Sequence, residues 1–335
     1  MTLAATPTGV TARVPGKINL QLVVGPLRED GYHELATVFH AVGLYDHVIV
    51  TPSDDWSVRV GGRHADRVPQ DGSNLALRAA RLLAEESGGQ QPVSITIDKQ
   101  IPVAAGMAGG SADAAGALVA CDALWGLGLS RDELSVLAAR LGSDVPFLLH
   151  GGTAIGSGRG EQLAPVLARG RLHWVLWISR HGGLSTPEVY AECDRLREVA
   201  GHTPPDPEPT GALLTALRTM ESTAVGAALH NDLQEAALSL DPTLATVVQA
   251  GLDLDVEGAV VSGSGPTVAF LVGSSDAAID LTVGLAARGP EGDIVRVDGP
   301  VPGAQVVGSF TPSAPGPASP GPTPTTSGST DGPTS

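Results

Sequence analysis

The feature that most restricts what this sequence can fold into is a run of glycine and alanine at residues 102–112, PVAAGMAGGSA. An alternating apolar segment precedes it at 93–98, and an alanine-rich segment without proline follows it. Glycine lets the backbone approach a ligand closely, and the first turn of a helix has free N–H groups and a positive dipole end. A strand, loop and helix of this kind are therefore typical of phosphate-binding sites. The alternative is a glycine-rich turn that binds nothing.

This loop differs from two common nucleotide-binding patterns. It matches neither G-x-x-x-x-G-K-S/T nor G-x-G-x-x-G, so the P-loop NTPase and Rossmann classes lose support. Ser111 stands where it could cap the following helix or offer its hydroxyl to a metal ion. The predicted phosphate-binding residues are Pro102, Val103, Ala104, Ala105, Gly106, Met107, Ala108, Gly109, Gly110, Ser111 and Ala112.

The net charge of −16 restricts the partners of the chain. It opposes binding to duplex nucleic acid or to an anionic membrane, so any phosphate must be held locally. The two cysteines, Cys121 and Cys193, lack the spacing of a zinc or redox site. The first residues show no secretory signal pattern. We therefore expect a cytoplasmic protein without nucleic-acid or membrane partners. The sequence does not indicate the oligomeric state, for which we expect a monomer or a weak homodimer.

Two charged residues form a candidate catalytic pair. Lys17 and Asn19 stand two residues apart in a strand-like segment, so their side chains point to the same face. A lysine in a largely apolar strand is costly to bury unless it is paired or functional. Asp144 follows a predicted helix and is the natural partner, and Pro146 predicts extended backbone at Val145. Taken singly, Lys17 could be an edge-strand lysine and Asp144 an ordinary turn residue.

Tyr32 and His33 are the candidates for contact with an aromatic base. Aromatic residues make up only 3% of the chain, yet these two are adjacent in a polar segment. A tyrosine ring can stack on a base, and a histidine can bond to the edge of that base. Taken alone, the pair could equally be loop residues that pack one side against the core.

The pattern of strands and helices restarts near residue 160 and indicates two domains. We predict domains at 1–160 and 161–308. A tail at 309–335, rich in Pro, Ser and Thr, is predicted to be disordered. The predicted strands are 13–24, 47–50, 58–60, 93–98 and 173–178, with a strand, loop and strand at 258–272; the predicted helices are 74–86, 111–125, 131–141, 187–199 and 213–217.

In their order along the chain, these segments resemble the three characteristic motifs of the GHMP kinases. Residues 17–20 resemble the first motif, 102–115 the second and 261–267 the third. The resemblance implies an α+β protein with the two-domain GHMP kinase fold, in which a ribosomal protein S5 domain 2-like N-terminal domain precedes a ferredoxin-like α/β C-terminal domain. It also implies an ATP-dependent small-molecule kinase that uses Mg²⁺, with Ser111 as a candidate metal ligand.

Residues 30–39 and 141–147 narrow the resemblance. They are similar to GHMP kinases that act on a small molecule linked to cytidine diphosphate, a pattern that homoserine and mevalonate kinases do not share. The resemblance implies catalytic roles for Lys17 and Asp144. It also implies phosphorylation of the 2-hydroxyl of a methylerythritol unit, in the non-mevalonate isoprenoid pathway. The implied substrate-binding residues are Asn19, Tyr32, His33 and Thr186.

The sequence departs from the family pattern at three places. Ala105 and Ala108 stand where the family often has glycine, and Ala112 replaces a common serine. We expect the two extra methyl groups to be tolerated, and no hydroxyl can act at position 112. Two alternatives stay open: another GHMP kinase acting on homoserine, mevalonate or a sugar, and a non-catalytic nucleotide-binding protein on the same fold.

Overall fold

The computed structural model describes residues 9–310, which form two β-sheets covered by helices. The strands are β1 Gly9–Leu27, β2 His33–Pro52, β3 Ser57–Gly61, β4 Val93–Asp98, β5 Thr153–Ser157, β6 Gln162–Pro165, β7 Leu172–Ser179, β8 His230–Asn231, β9 Gly258–Val261, β10 Val268–Val272, β11 Gly292–Gly299 and β12 Gln305–Phe310. The helices are α1 Leu75–Glu86, α2 Gly109–Trp125, α3 Arg131–Leu141, α4 Val145–His150, α5 Thr186–Ala200, α6 Gly211–Thr219, α7 Ser222–Ala227, α8 Gln234–Leu240, α9 Thr243–Leu252 and α10 Ser275–Arg288.

The first sheet is built on the long antiparallel pair β1 and β2. Its order is β12-β1-β2-β4-β3, while β5 joins β2, β6 joins β5 and β8 joins β1. The register of β1 against β2 shifts at three places, one of them between Asn19 and Gln21. Shifts of this kind bend a strand and turn its side chains toward a new direction. The bent pair therefore forms a wall that carries polar residues toward the second sheet.

The second sheet confirms the predicted ferredoxin-like domain. Its order is β11-β7-β10-β9, and every pair is antiparallel. Along the chain, helices follow β7 and β10, which gives the β-α-β-β-α-β arrangement typical of that fold. Successive residues of β7 face opposite sides, with Trp174 in the core shared with the first sheet and Trp177 against the outer helices.

Helix α2 lies against the first sheet and sets the position of the glycine-rich loop. Most of its residues are buried. Gly116 allows the close approach, because a Cβ there would lie 2.7 Å from side-chain atoms of Val14 and of Val48. Since α2 is held so closely, its first turn is fixed relative to β1.

Several predicted boundaries differ from the structure. Strand β2 begins at His33, not at 47, because its first half carries polar residues that hid its strand character. Val145 is helical, since Pro146 occupies the first turn of α4, where a proline is tolerated. The glycines at 158 and 160 form a hairpin turn, so the first sheet extends past the predicted boundary at 160 into β6.

The predicted tail at 309–335 falls mostly outside the described residues. Ser309 and Phe310, however, belong to β12 and pair with Val10 and Gly9. The first sheet thus includes a strand from the end of the described chain. Across residues 9–310, none of the helices has the length and apolar character needed to cross a membrane.

Candidate active site

A cleft of about 700 Å³ lies between the two sheets and contains most of the predicted site residues. Those that line it are Lys17, Asn19, Tyr32, His33, Ala104, Ala105, Gly106, Ala108, Gly109, Gly110, Ser111, Asp144 and Thr186. Four predicted residues do not line it: Pro102, Val103, Met107 and Ala112. Met107 and Ala112 are instead fully buried in the core beneath the loop. The loop therefore turns one row of residues toward the cleft and the other toward the core.

The glycine-rich loop is held in an unusual backbone conformation. Ala104, Gly106 and Ala108 have φ angles of 52°, 76° and 57°, in the left-handed region. Gly106 has no alternative, because a Cβ there would lie 1.8 Å from the carbonyl oxygen of Ser262. Ala108 holds a conformation that costs an alanine about 1–2 kcal/mol. Of the two alanines at family glycine positions, Ala108 is therefore strained, whereas Ala105 is outside the left-handed region.

The first turn of α2 offers backbone N–H groups to the cleft. The helix begins at Gly109, with Ala108 as the N-cap residue and no side-chain cap. The N–H of Ala112 donates to the Ala108 carbonyl at 2.9 Å, so the N–H groups of Gly109, Gly110 and Ser111 lie before the first intrahelical bond. The expectation that Ser111 caps the helix is wrong, because the helix starts two residues earlier. Its hydroxyl is left in the cleft.

Lys17, Asn19 and Asp144 meet on the floor of the cleft. The Lys17 ammonium donates to Asn19 Oδ1 at 2.7 Å and lies 3.8 Å from Asp144 Oδ2. Asn19 Nδ2 donates to Thr37 Oγ1 at 2.7 Å, and Thr37 donates to the Gln21 carbonyl at 2.7 Å. This chain of bonds fixes the Asn19 amide and, through it, the lysine. The prediction that Lys17 and Asp144 lie together is confirmed by their distance.

The charge of Lys17 is only partly compensated. Its side chain is 5% exposed, and that of Asp144 is 30% exposed. Burial lowers the pKa of Lys17, while the nearby Asp144 carboxylate raises it and offsets part of that effect. Asp144 is the N-cap residue of α4 but makes no capping bond. Its carboxylate is therefore available to accept a proton from a hydroxyl group bound beside Lys17.

The far end of the cleft is lined by aromatic rings. Tyr32 is 55% exposed, and the Arg159 guanidinium lies 4.9 Å from the centre of its ring. His33 is buried, and its ring stacks on Tyr190 with centroids 5.2 Å apart. His33 Nε2 lies 3.0 Å from Asp194 Oδ1. This end of the cleft therefore carries aromatic rings and a charged pair, unlike the glycine-rich end.

Sequence reasoning missed Tyr190 and Asp194. Both lie on α5 and line the cleft. The signal that could have found them is spacing, because Thr186, Tyr190 and Asp194 recur every four residues and so share one face of the helix. The predicted contact Thr186 begins this row, and its hydroxyl bonds to that of Ser264 at 2.9 Å.

The turn at residues 261–267, which resembles the third motif, lies beside the glycine-rich loop and lines the cleft through Gly263 and Ser264. Ser262 Oγ donates to the Gly106 carbonyl at 2.9 Å. Asn231 Nδ2 donates to the carbonyls of Val261 and Gly263, at 2.7 and 2.8 Å. A Cβ at Gly263 would lie 3.3 Å from the Lys17 ammonium. The second sheet therefore reaches the lysine through backbone atoms of this turn.

A second buried lysine supports the loop from behind. Lys99 Nζ contacts Asp46 Oδ2 at 2.5 Å, Asp113 Oδ2 at 2.9 Å and the Gly109 carbonyl at 2.8 Å. Burial lowers the pKa of Lys99, but the two carboxylates outweigh it and the pKa is raised. Burial raises the pKa of Asp113. Sequence reasoning missed this cluster, since its members are far apart in the chain.

The chain matches two family models, the GHMP kinases N terminal domain at residues 74–152 and the GHMP kinases C terminal at 213–291. A 4-diphosphocytidyl-2-C-methyl-D-erythritol kinase from Mycolicibacterium gilvum is 55% identical over 303 residues, which is 90% of this chain and 94% of that protein. The protein of that name from Mycobacterium tuberculosis is 54% identical over 91% of this chain and 95% of its own length. The chain belongs to the GHMP kinase family.

Solved GHMP kinases have the same fold. A crystal structure of 4-(cytidine 5'-diphospho)-2C-methyl-D-erythritol kinase is 34% identical, with a TM-score of 0.70, and the match covers 87% of this chain and 99% of that one. A homoserine kinase from Cytophaga hutchinsonii has a TM-score of 0.69 at 18% identity, over 92% of this chain and 100% of that one, and shows the fold alone. This GHMP kinase is thus an ATP-dependent small-molecule kinase, as the motifs predicted.

Proposed function

We propose that this GHMP kinase transfers the γ-phosphoryl group of ATP to the 2-hydroxyl of 4-diphosphocytidyl-2-C-methyl-D-erythritol, in the non-mevalonate pathway to isoprenoid precursors. The observation that carries the proposal is the position of Lys17 and Asp144, which lie 3.8 Å apart in a cleft also lined by the glycine-rich loop and by Tyr32 and His33. The names of the relatives at 54–55% identity support the same substrate.

The glycine-rich loop and α2 are proposed to hold the phosphates of ATP. The first-turn N–H groups of Gly109, Gly110 and Ser111 lie at the positive end of the 17-residue helix α2. Side chains are absent or short along this surface, so a phosphate can reach the backbone. A local site of this kind does not depend on the net charge, which is −16 for the whole chain.

Lys17 and Asp144 are proposed to carry the chemistry. Asp144 accepts the proton of the substrate hydroxyl as that oxygen attacks the γ-phosphorus and the bond to the leaving ADP oxygen breaks. The Lys17 ammonium lies against the transferring group and offsets its negative charge. The transition state of phosphoryl transfer is loose, so correct position matters more than basicity.

Tyr32, His33 and Tyr190 are proposed to bind the cytosine. Stacking of a base on an aromatic ring contributes about 1–3 kcal/mol, and the half-exposed ring of Tyr32 is accessible to it. His33 would bond to the edge of the base. Asn19 and Thr186 also line the cleft and are proposed to contact the remaining part of the substrate.

Mg²⁺ is proposed as the metal. Among residues 9–310 there is no group of three or more His, Cys, Asp or Glu side chains that could hold a metal ion. Mg²⁺ does not need such a group, since it keeps several waters and binds through one or two protein oxygens and the phosphates. Ser111 lines the cleft and would supply one of those oxygens. The metal would neutralise charge on the phosphate oxygens.

We further propose that the protein acts in the cytoplasm, as a monomer or a weak homodimer, and without a nucleic-acid partner. The net charge of −16 supports the last point because it repels polyanions.

The proposal is tested by presenting ATP with the cytidine-linked substrate, homoserine and mevalonate in parallel, and by following ADP release. We expect turnover with the cytidine-linked alcohol alone, and a new phosphate on its 2-hydroxyl in the ³¹P spectrum. Preferred phosphorylation of homoserine or mevalonate would contradict the proposal. So would binding of ATP without transfer to any alcohol.

A further inference from the structure

The contact between His33 and Asp194 determines which nitrogen of the histidine carries hydrogen. His33 Nε2 lies 3.0 Å from Asp194 Oδ1, and the side chains are 7% and 45% exposed. An ionised carboxylate can only accept a hydrogen bond, so the histidine must donate through Nε2. A neutral imidazole carries one hydrogen. Nδ1 is then an acceptor.

This acceptor is available to a ligand. Within residues 9–310, His33 Nδ1 has no hydrogen-bond partner, and it is not among the fully buried atoms that lack one. His33 lines the cleft together with Tyr32 and Tyr190, the residues of the proposed base site. The stacked ring of Tyr190, tilted by 27°, restricts rotation of the imidazole. Asp194, which bonds to the ring, and Tyr190, which stacks on it, lie on the same face of α5.

We propose that Asp194 is a positioning residue that fixes the tautomer of His33 and thereby selects cytosine over uracil. The inference rests on the proposed function and adds the origin of base selectivity to it. An acceptor at Nδ1 pairs with the exocyclic amino group of cytosine. Uracil has a carbonyl oxygen at that place, so two acceptors would face each other. A buried polar pair left unmatched in this way discriminates strongly between analogues.

The alternative is that the contact between His33 and Asp194 is an ordinary ion pair at the rim of the cleft, which contributes a little to stability. The two roles differ in what they change. A rim ion pair affects unfolding and leaves the ratio of cytidine to uridine turnover unchanged. A tautomer-fixing contact changes that ratio, because the other tautomer of His33 presents a donor and accepts uracil.

The first test observes the tautomer directly. In the full-length protein, ¹⁵N spectra of the imidazoles at a pH where His33 is neutral should show hydrogen on Nε2 of His33. In Asp194→Ala the spectrum should shift toward a mixture of tautomers. Hydrogen on Nδ1 in the wild-type protein would overturn the inference, as would an Asp194→Ala spectrum identical to that of wild type.

The second test measures selectivity. We expect Asp194→Ala to lower the ratio of kcat/KM for the cytidine-linked substrate over its uridine-linked analogue by about tenfold or more, the effect of one hydrogen bond. The change should lie in KM, because the reacting groups are untouched. Asp194→Glu keeps an acceptor carboxylate and should recover most of the ratio.

Glu198→Ala is the matched control. It removes the same charge from an exposed position one turn beyond Asp194, outside the cleft, and should leave the ratio unchanged. If wild type fails to phosphorylate the cytidine-linked substrate, the proposed function is wrong. If wild type phosphorylates it, and Asp194→Ala keeps the wild-type ratio, the function stands and the role of Asp194 is wrong.

Discussion

Lys17 and Lys99 are both buried and both contact the glycine-rich loop, yet their surroundings differ. An ammonium group has three hydrogens to donate. Lys99 has an acceptor for each of them, in Asp46, Asp113 and the Gly109 carbonyl, all within 2.9 Å. Lys17 has Asn19 at 2.7 Å, and Asp144 lies at 3.8 Å, beyond hydrogen-bond distance. Lys17 therefore keeps donors for a ligand.

The pKa values follow the same contrast. Burial lowers the pKa of Lys17, and the single carboxylate of Asp144, at 3.8 Å, offsets only part of that effect. The two carboxylates beside Lys99 outweigh burial and raise its pKa. A saturated lysine stabilises the fold, whereas an under-compensated lysine in a cleft is available for catalysis. Variants of each lysine should therefore fail in different assays.

The largest expected effect is on stability, at Lys99. Lys99→Met leaves the buried side chains of Asp46 and Asp113 without their cation and should lower the free energy of unfolding by about 3–5 kcal/mol, measured by urea denaturation. Adding Asp113→Leu to this variant removes one of those two acids and should recover part of the loss. If Lys99→Met unfolds with a free energy within about 1 kcal/mol of wild type, the proposed contrast between Lys99 and Lys17 is wrong.

The next effect is on turnover, at the partner of Lys17. Asp144→Asn keeps the shape of the side chain but removes the proposed base and its charge, so kcat should fall by about 10²-fold or more. The unfolding free energy should change little, because Asp144 is partly exposed. Asp280→Asn, at an exposed site on α10, is the control and should keep normal kcat. Near-normal turnover of Asp144→Asn would remove it from the mechanism.

A variant of Tyr32 tests substrate binding separately from the chemical step proposed for Lys17 and Asp144. Tyr32→Ala removes the ring that we propose stacks on the base. KM for the cytidine substrate should rise, by the equivalent of about 1–3 kcal/mol of lost binding free energy, with a smaller change in kcat. Steady-state kinetics measure both. Tyr32→Phe keeps the ring and should behave like wild type. An unchanged KM in Tyr32→Ala would exclude the stacking role.

The smallest expected effect is a pH dependence of stability, caused by Asp113 beside Lys99. Burial raises the pKa of Asp113 to about 8, above its unfolded value of about 3.9. The folded state therefore binds the extra proton, and this contribution to stability is lost as pH rises through the folded pKa. We expect wild type to lose about 1 kcal/mol between about pH 7 and about pH 9. Asp113→Asn mimics the protonated acid, so its curve should be flatter; parallel curves would contradict this.

The sequence predicted the part of the site that local pattern determines. The glycine-rich loop, Lys17 with Asn19, and Tyr32 with His33 are short segments whose composition reflects their chemistry. Helix α3 and strand β4 were predicted with their observed bounds, because a capping box and strict alternation mark them. These features need no knowledge of distant contacts.

The parts that were missed depend on tertiary contacts. Lys99, Asp46 and Asp113 are each ambiguous alone, and only the packing of α2 on the sheet brings them together. Tyr190 and Asp194 lie on a helix of ordinary composition that reaches the cleft from the second domain. Strand β6 joins the first sheet through a glycine turn that looks like a linker in the sequence.

The most direct test of the account is Lys17→Met, measured for turnover at saturating ATP and substrate and for stability by urea denaturation. We predict a fall in kcat of about 10²-fold or more, with an unfolding free energy within about 1 kcal/mol of wild type, since Asp144 can be solvated and one buried charge is removed. The account is contradicted if Lys17→Met turns over within about threefold of wild type, or if it unfolds as readily as Lys99→Met.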